Sequence, residues 1–182
     1  MDGRSVHWMV ALGVALAVGC GRTPPVPTPE EITPKPPVAR VTDRAANSMG
    51  SILILEYHRV RKEEARWDRS TKAFREDLER LLAMGFRPVT LRDLLDGMPD
   101  LPPGASPVVM TFDDSDPSQL RWTQDGELDP ECAVGIWEAF AREHPEFPVR
   151  ASFYILPETP WGQGQWVRQK IQWLRDRGCE IG

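Results

Sequence analysis

The sequence predicts an α/β domain built from parallel βαβ units, and three observations carry that prediction. Short β-prone apolar runs alternate with amphipathic helical segments from Ser51 onward, the order that a parallel sheet with helical crossovers produces. Ile52 to Leu55 is a continuous apolar run suited to a strand buried on both faces, and Val108 to Phe112 reads as a second buried strand. Between them Phe74, Leu78, Leu81 and Leu82 recur at helical spacing, marking one face of a crossover helix.

The first residues stand outside that domain. Arg4 and His7 precede an apolar run from Trp8 to Val18, too short to span a bilayer and of the kind found in the core of an export signal. Leu16-Ala17-Val18-Gly19-Cys20 resembles the lipobox of bacterial lipoproteins, although Ala17 stands three positions before the cysteine, where leucine is usual. The resemblance implies a signal peptide over residues 1–20 and lipidation of Cys20. The expected location is then the bacterial cell envelope, with the chain lipid-anchored to a membrane on its periplasmic or extracellular face. Residues 21–50 hold seven of the eighteen prolines and almost no large apolar side chains, a composition that favours an extended linker over a packed core. Two cysteines remain, Cys132 and Cys179; each falls in an apolar predicted element, which suits buried free thiols at least as well as a bridge.

The domain proper runs from 51 to 182, and its elements follow in order. Helix Thr71 to Met84 has Ser70 or Thr71 as N-cap and Gly85 at the stop. A strand around Arg87 to Val89 precedes a short helix opened by Thr90, with Asp93 at capping-box spacing. Leu101 to Pro107 is a Pro/Gly loop, followed by the Val108 to Phe112 strand. Asp129-Pro130 opens a helix carrying Ile136, Trp137 and Phe140, which stops at His144-Pro145. Ala151 to Leu156 reads as a strand and Trp166 to Arg177 as an amphipathic helix capped by Gly178. Cys179 to Ile181 begins a further strand.

The strand Val108 to Phe112 delivers Asp113 and Asp114 to its carboxyl end, the end where parallel α/β folds gather ligands. Adjacent carboxylates repel and lose hydration there, so a cation, a basic partner or backbone donors must offset the cost. Two readings stand side by side. A divalent ion ligated by one acid would let its neighbour take a proton from water; alternatively the acids cap the turn that follows.

Thr111-Phe112-Asp113-Asp114 resembles the first motif of the polysaccharide deacetylases, the NodB-like carbohydrate esterases, whose pattern is Thr-Phe-Asp-Asp-Gly. Ile54-Leu55-Glu56-Tyr57-His58-Arg59-Val60 is similar to the Tyr-His strand that opens many members, and Ala151-Ser152-Phe153-Tyr154-Ile155-Leu156 to their Ala-Thr-Phe-Tyr strand. The resemblance implies a distorted (β/α) barrel and a hydrolase acting on non-peptide C–N bonds, which removes N-acetyl groups from an amino-sugar polysaccharide. It also implies Asp113 as catalytic base, Asp114 as metal ligand and a divalent metal of the zinc type as cofactor. His58, Ser115 and Trp161 are the candidate substrate-binding residues, Trp161 as a flat apolar face for a pyranose.

The sequence departs from the family pattern in two places. Ser115 replaces the usual glycine. The family's second motif, His-(Ser/Thr)-x-x-His, follows a strand ending Glu-Ile-Gly, whereas this sequence stops at Glu180-Ile181-Gly182 and its three histidines are His7, His58 and His144. The expectation is the N-terminal half of the barrel, with an incomplete metal site and little or no activity. Two alternatives are an inactive glycan-binding relative, and a phosphatase of the haloacid-dehalogenase kind using Asp114 and Asp116. The net charge of −5 supplies no basic field for a polyanion, so nucleic acid is excluded as a partner. The expected partners are a polysaccharide substrate and, through Cys20, a membrane.

Overall fold

Helical and extended segments take the expected order in a computed structural model, which describes residues 45–47, 50–97 and 101–182. All of these lie within the unit Pro36–Gly182. The expected signal peptide, Cys20 and most of the Pro-rich linker lie outside the described residues.

The strands are β1 (Leu53–Tyr57), β2 (Arg59–Arg61), β3 (Asp68–Ser70), β4 (Phe86–Val89), β5 (Ser106–Phe112), β6 (Ser152–Phe153) and β7 (Glu180–Ile181). The helices are α1 (Thr71–Ala83), α2 (Leu91–Leu95), α3 (Ala133–Glu143) and α4 (Val167–Asp176). Strand β5 is the hub of a parallel five-stranded sheet. Val108 pairs with both Leu53 and Pro88, and Thr111 with both Glu56 and Ser152, so β1 flanks β5 on one side while β4 and β6 share the other. β7 extends the sheet beyond β6. The described residues thus form an open parallel α/β sheet, and a closed barrel is not what they build.

Strand alternation decides what each face meets. Tyr57, Met110, Phe112 and Phe153 join one cluster with Phe74 and Leu78 of α1, Trp137 and Phe140 of α3, and Leu174 of α4. Burying each such side chain contributes about 1.5–3 kcal/mol. Phe112 sits at the centre, its ring stacked on Phe153 at 4.8 Å and on Tyr57 at 5.6 Å.

Helix ends follow their sequence signals. Ser70 caps α1 by accepting from Ala73 N at 3.1 Å, Gly85 takes φ 84° at its stop, and Thr90 with Asp93 closes the full capping box of α2. Cys132 and Cys179 are free and buried.

Three local expectations shift. Helix α3 starts at Ala133 rather than Asp129, because the Asp129 carboxylate is already engaged by Glu131 N at 2.8 Å and Arg121 Nε at 2.6 Å. The turn this creates passes so close to α3 that a Cβ on Gly135 would lie 2.0 Å from Asp129 O. Strand β6 pairs over two residues only; Tyr154 N and Ile155 N still bond to Phe112 O and Gly182 O, and at Leu156 the chain turns away, its N donating to Ser115 Oγ at 3.0 Å. The small parallel β2–β3 pair was not expected; it places residues 62–67 as a loop beside the carboxyl ends of β1 and β5.

Candidate functional site

The last ladder pairs of β1 and β5 are Glu56 with Thr111 and Tyr57 with Phe112, and the chain carries His58, Asp113 and Asp114 just beyond them, at the same end of the sheet as Glu56. Ligand atoms of Glu56, His58 and Asp113 all lie within 4.8 Å of one another. His58 Nδ1 is 3.4 Å from Glu56 Oε1, and its Nε2 is 3.9 Å from Asp114 Oδ2, so the imidazole stands between two carboxylates. Asp113 is half-buried, whereas Asp114 is exposed.

The backbone is bent to achieve this. Asp114 and Ser115 have φ of 68° and 45°, a left-handed conformation that non-glycine residues adopt rarely and that clusters at functional sites. Ser115 is held there on both sides: its Oγ accepts from Leu156 N, and its carbonyl accepts from Trp161 N at 2.7 Å. Gln119, fully buried, fastens the other flank by donating through Nε2 to His58 O at 2.6 Å and to Asp113 O. Ser118 Oγ accepts from Val60 N at 3.1 Å and donates to Asp116 Oδ1 at 2.6 Å. Asp116 Oδ2 accepts from Arg61 at 3.1 Å. The acidic loop is therefore stitched to the β1–β2 segment, and Asp116 is spent on that stitching.

Asp113 is perturbed upward. Burial is the main cause, the neighbouring Glu56 and Asp114 charges add to it, and His58 opposes it. Its Oδ1 is buried and accepts no hydrogen bond, a costly state for a carboxylate oxygen. Asp116 moves the other way: burial raises its pKa, but the Ser118 hydrogen bonds and then Arg61 outweigh that.

An orphaned carboxylate oxygen beside an imidazole and a second carboxylate is a donor set that a divalent cation of the zinc type fits. Glu56, His58 and Asp113 are the residues near enough to hold one, with Asp114 next to them. A depression of about 480 Å³ opens beside this cluster, lined by His58, Trp67, Asp114, Ser115, Thr159 and Gly162 among others. A larger groove of about 810 Å³ lies between the α1 and α3 sides. Its arginines Arg61, Arg75 and Arg121 are all engaged in ion pairs, so it offers little free chemistry.

Of the expected site residues, His58, Asp113, Asp114 and Ser115 come together. Trp161 does not present a sugar-binding face: it is wholly buried, edge-on to Phe153 at 6.4 Å. Its loop is locked by Lys170, which donates to Leu120 O at 2.9 Å and Gln163 Oε1 at 2.7 Å and sits near the Trp122 and Trp161 rings. Burial lowers the Lys170 pKa to about 8.

Glu56, Gln119 and Trp67 escaped the sequence reading. Glu56 had a usable signal, since it lies two residues before His58 and extended chain turns such a pair to one side. Gln119 had none, because its contacts with His58 and Asp113 depend on how the loop folds back.

No family model and no curated protein matches the chain. Among solved structures it is similar to IcaB from Ammonifex degensii, with 24% identity and a TM-score of 0.45. That match covers 72% of this chain and 51% of the other, so the chain spans about half the length of that structure.

Proposed function

We propose that this chain carries the acidic half of a metal-dependent hydrolase centre that removes N-acetyl groups from an amino-sugar polysaccharide. The observation that carries the reading is the buried, unpartnered Asp113 Oδ1 within reach of Glu56 and His58. The Thr111-Phe112-Asp113-Asp114 motif and its flanking strands, which resemble those of the polysaccharide deacetylases, supply the reaction class.

Bound at the cluster, a divalent cation supplies Lewis acidity, which acidifies water and polarises a carbonyl. Glu56 and His58 would hold such an ion with Asp114 beside them, while Asp113, near enough to ligate as well, would be left to accept the proton of the attacking water. Its upward-shifted pKa suits that task, because a base nearer neutrality transfers protons more effectively than an ordinary carboxylate. Gln119 and Ser115 keep Asp113 and His58 in register by gripping the backbone on either side. Anchoring to a bacterial membrane through Cys20 belongs to the same proposal; among the described residues no helix is long and apolar enough to cross a membrane.

Zinc titration of the purified chain tests the centre: His58→Ala should weaken uptake about tenfold or more. Asp113→Asn should retain uptake, and in a chain completed with the family's His-(Ser/Thr)-x-x-His motif it should lower acetate release from an N-acetylglucosamine oligomer by about 100-fold or more. Loss of uptake in Asp113→Asn would move Asp113 into the ligand set, and unchanged acetate release would remove its role as base.

A further inference from the structure

We infer that Trp67 is the stacking platform of a sugar-binding subsite, lying beside the Glu56, His58 and Asp113 cluster at the tip of the turn before β3. The inference rests on the hydrolase reading and specifies where the polymer lies.

Trp67 is 52% exposed, whereas Trp122, Trp137 and Trp161 are buried. The Trp67 indole thus leaves a flat apolar face open to solvent, where a pyranose ring could stack. Its ring lies 5.0 Å from the His58 ring, which puts it directly beside the cluster. Trp67 also stands between two depressions, of about 270 and 480 Å³, that share His58, Arg59 and Trp67 as walls. A chain of pyranoses laid along them would cross the indole and pass the Asp114 carboxylate.

The platform is held rigidly. Arg66 and Trp67 are the central residues of a tight turn closed by Ala65 N to Asp68 O at 2.9 Å and Asp68 N to Ala65 O at 3.2 Å. Asp68 is bound by Arg59, and the next residue, Arg69, is fixed by Glu64 at 2.8 Å and by Asp77 at 2.7 Å. A ring presented on a pinned turn loses little freedom when a ligand arrives.

Charge narrows the ligand. In the larger depression Arg59 is consumed by Asp68, and Asp116 by Ser118 and Arg61. Apart from Asp114 at the metal cluster, that depression is left, among the described residues, with no unpaired charged side chain to draw phosphates or uronates. Neutral N-acetylated sugars fit this wall, their apolar ring faces on the indole. The Arg66 guanidinium lies 5.1 Å from the ring centroid, an exposed and weak contact that an incoming ring can displace.

The test titrates the full chain with the N-acetylglucosamine pentamer in the presence of zinc, following the indole N–H resonances by NMR. The resonance absent from Trp67→Phe identifies Trp67. Expected are a pentamer-induced shift at that resonance, about fivefold to tenfold weaker binding in Trp67→Ala, and near-native binding in Trp67→Phe. Zinc affinity should be unchanged in both variants. Native pentamer affinity in Trp67→Ala overturns the subsite and leaves the metal centre standing. Lost zinc affinity in Trp67→Ala also overturns it, because the ring would then only be supporting His58. A wild-type chain that takes up zinc yet binds no pentamer removes the subsite; one that takes up no zinc removes the centre on which it rests.

Discussion

Ser115 sits at φ 45°, a conformation glycine adopts freely and serine does not. Glycine is also what the resembled motif has at this position. What the serine adds is an Oγ that accepts from Leu156 N and ties the chain after β6 to the acidic loop. Two opposing effects decide a substitution here. Relief of left-handed strain stabilises by about 1 kcal/mol, whereas orphaning the part-buried Leu156 amide costs about 1–3 kcal/mol. Ser115→Gly is therefore expected to lower stability by about 1 kcal/mol in urea unfolding. A variant more stable than the parent would show that strain, rather than the hydrogen bond, dominates this turn. Pairwise features of this kind were partly legible: the Asp113-Asp114 motif announced a site, but Gln119 gave no hint of its grip on His58 and Asp113.

Helix α4 and the loop before it depend on one buried charge. Lys170 packs between two indoles and donates to Leu120 O and Gln163 Oε1, while the Gln163 side chain both accepts from Trp122 N and donates to Trp122 O at 2.9 Å. With its pKa lowered from the ordinary lysine value of 10.5 to about 8, the folded form sheds a proton before the unfolded chain does. Between those values the unfolded state binds more protons, so stability from this group rises with pH. Below pH about 8 both states are protonated and the contribution is flat. The stability of the parent relative to Lys170→Met should accordingly stay constant up to about pH 8 and climb toward pH 10. Urea midpoints at pH 7 and 9.5 check this; a difference that shrinks on going alkaline would sink it. The amphipathic pattern of α4 is readable in Val167, Ile171 and Leu174, but the burial of Lys170 is not, because sequence periodicity does not reveal which loop folds over a helix.

Among the described residues the sheet is open, with β1 at one end of the strand path. Its Ile54 is 52% exposed, and Leu156 and Tyr154 near β6 are exposed as well. An uncovered apolar edge strand offers unpaired backbone groups to another chain. Ile54→Lys should reduce self-association in sedimentation at matched concentration, with little loss of stability because the side chain is already half in solvent. Equal association in the variant would place the sticky surface elsewhere.

Local chemistry written into consecutive residues determined much of this protein on its own: apolar runs made strands, capping residues and glycines bounded helices, and Asp113-Asp114 marked the carboxyl end of β5 as the candidate site. Tertiary structure alone decided that Gln119 clamps the His58 and Asp113 backbone, that Trp161 is core while Trp67 faces solvent, and that the described strands form an open sheet. The reason is range. Periodicity and caps are set by neighbours within a few residues, whereas burial of a tryptophan or pairing of a glutamine is settled by segments some sixty residues away, as Gln119 meeting His58 illustrates.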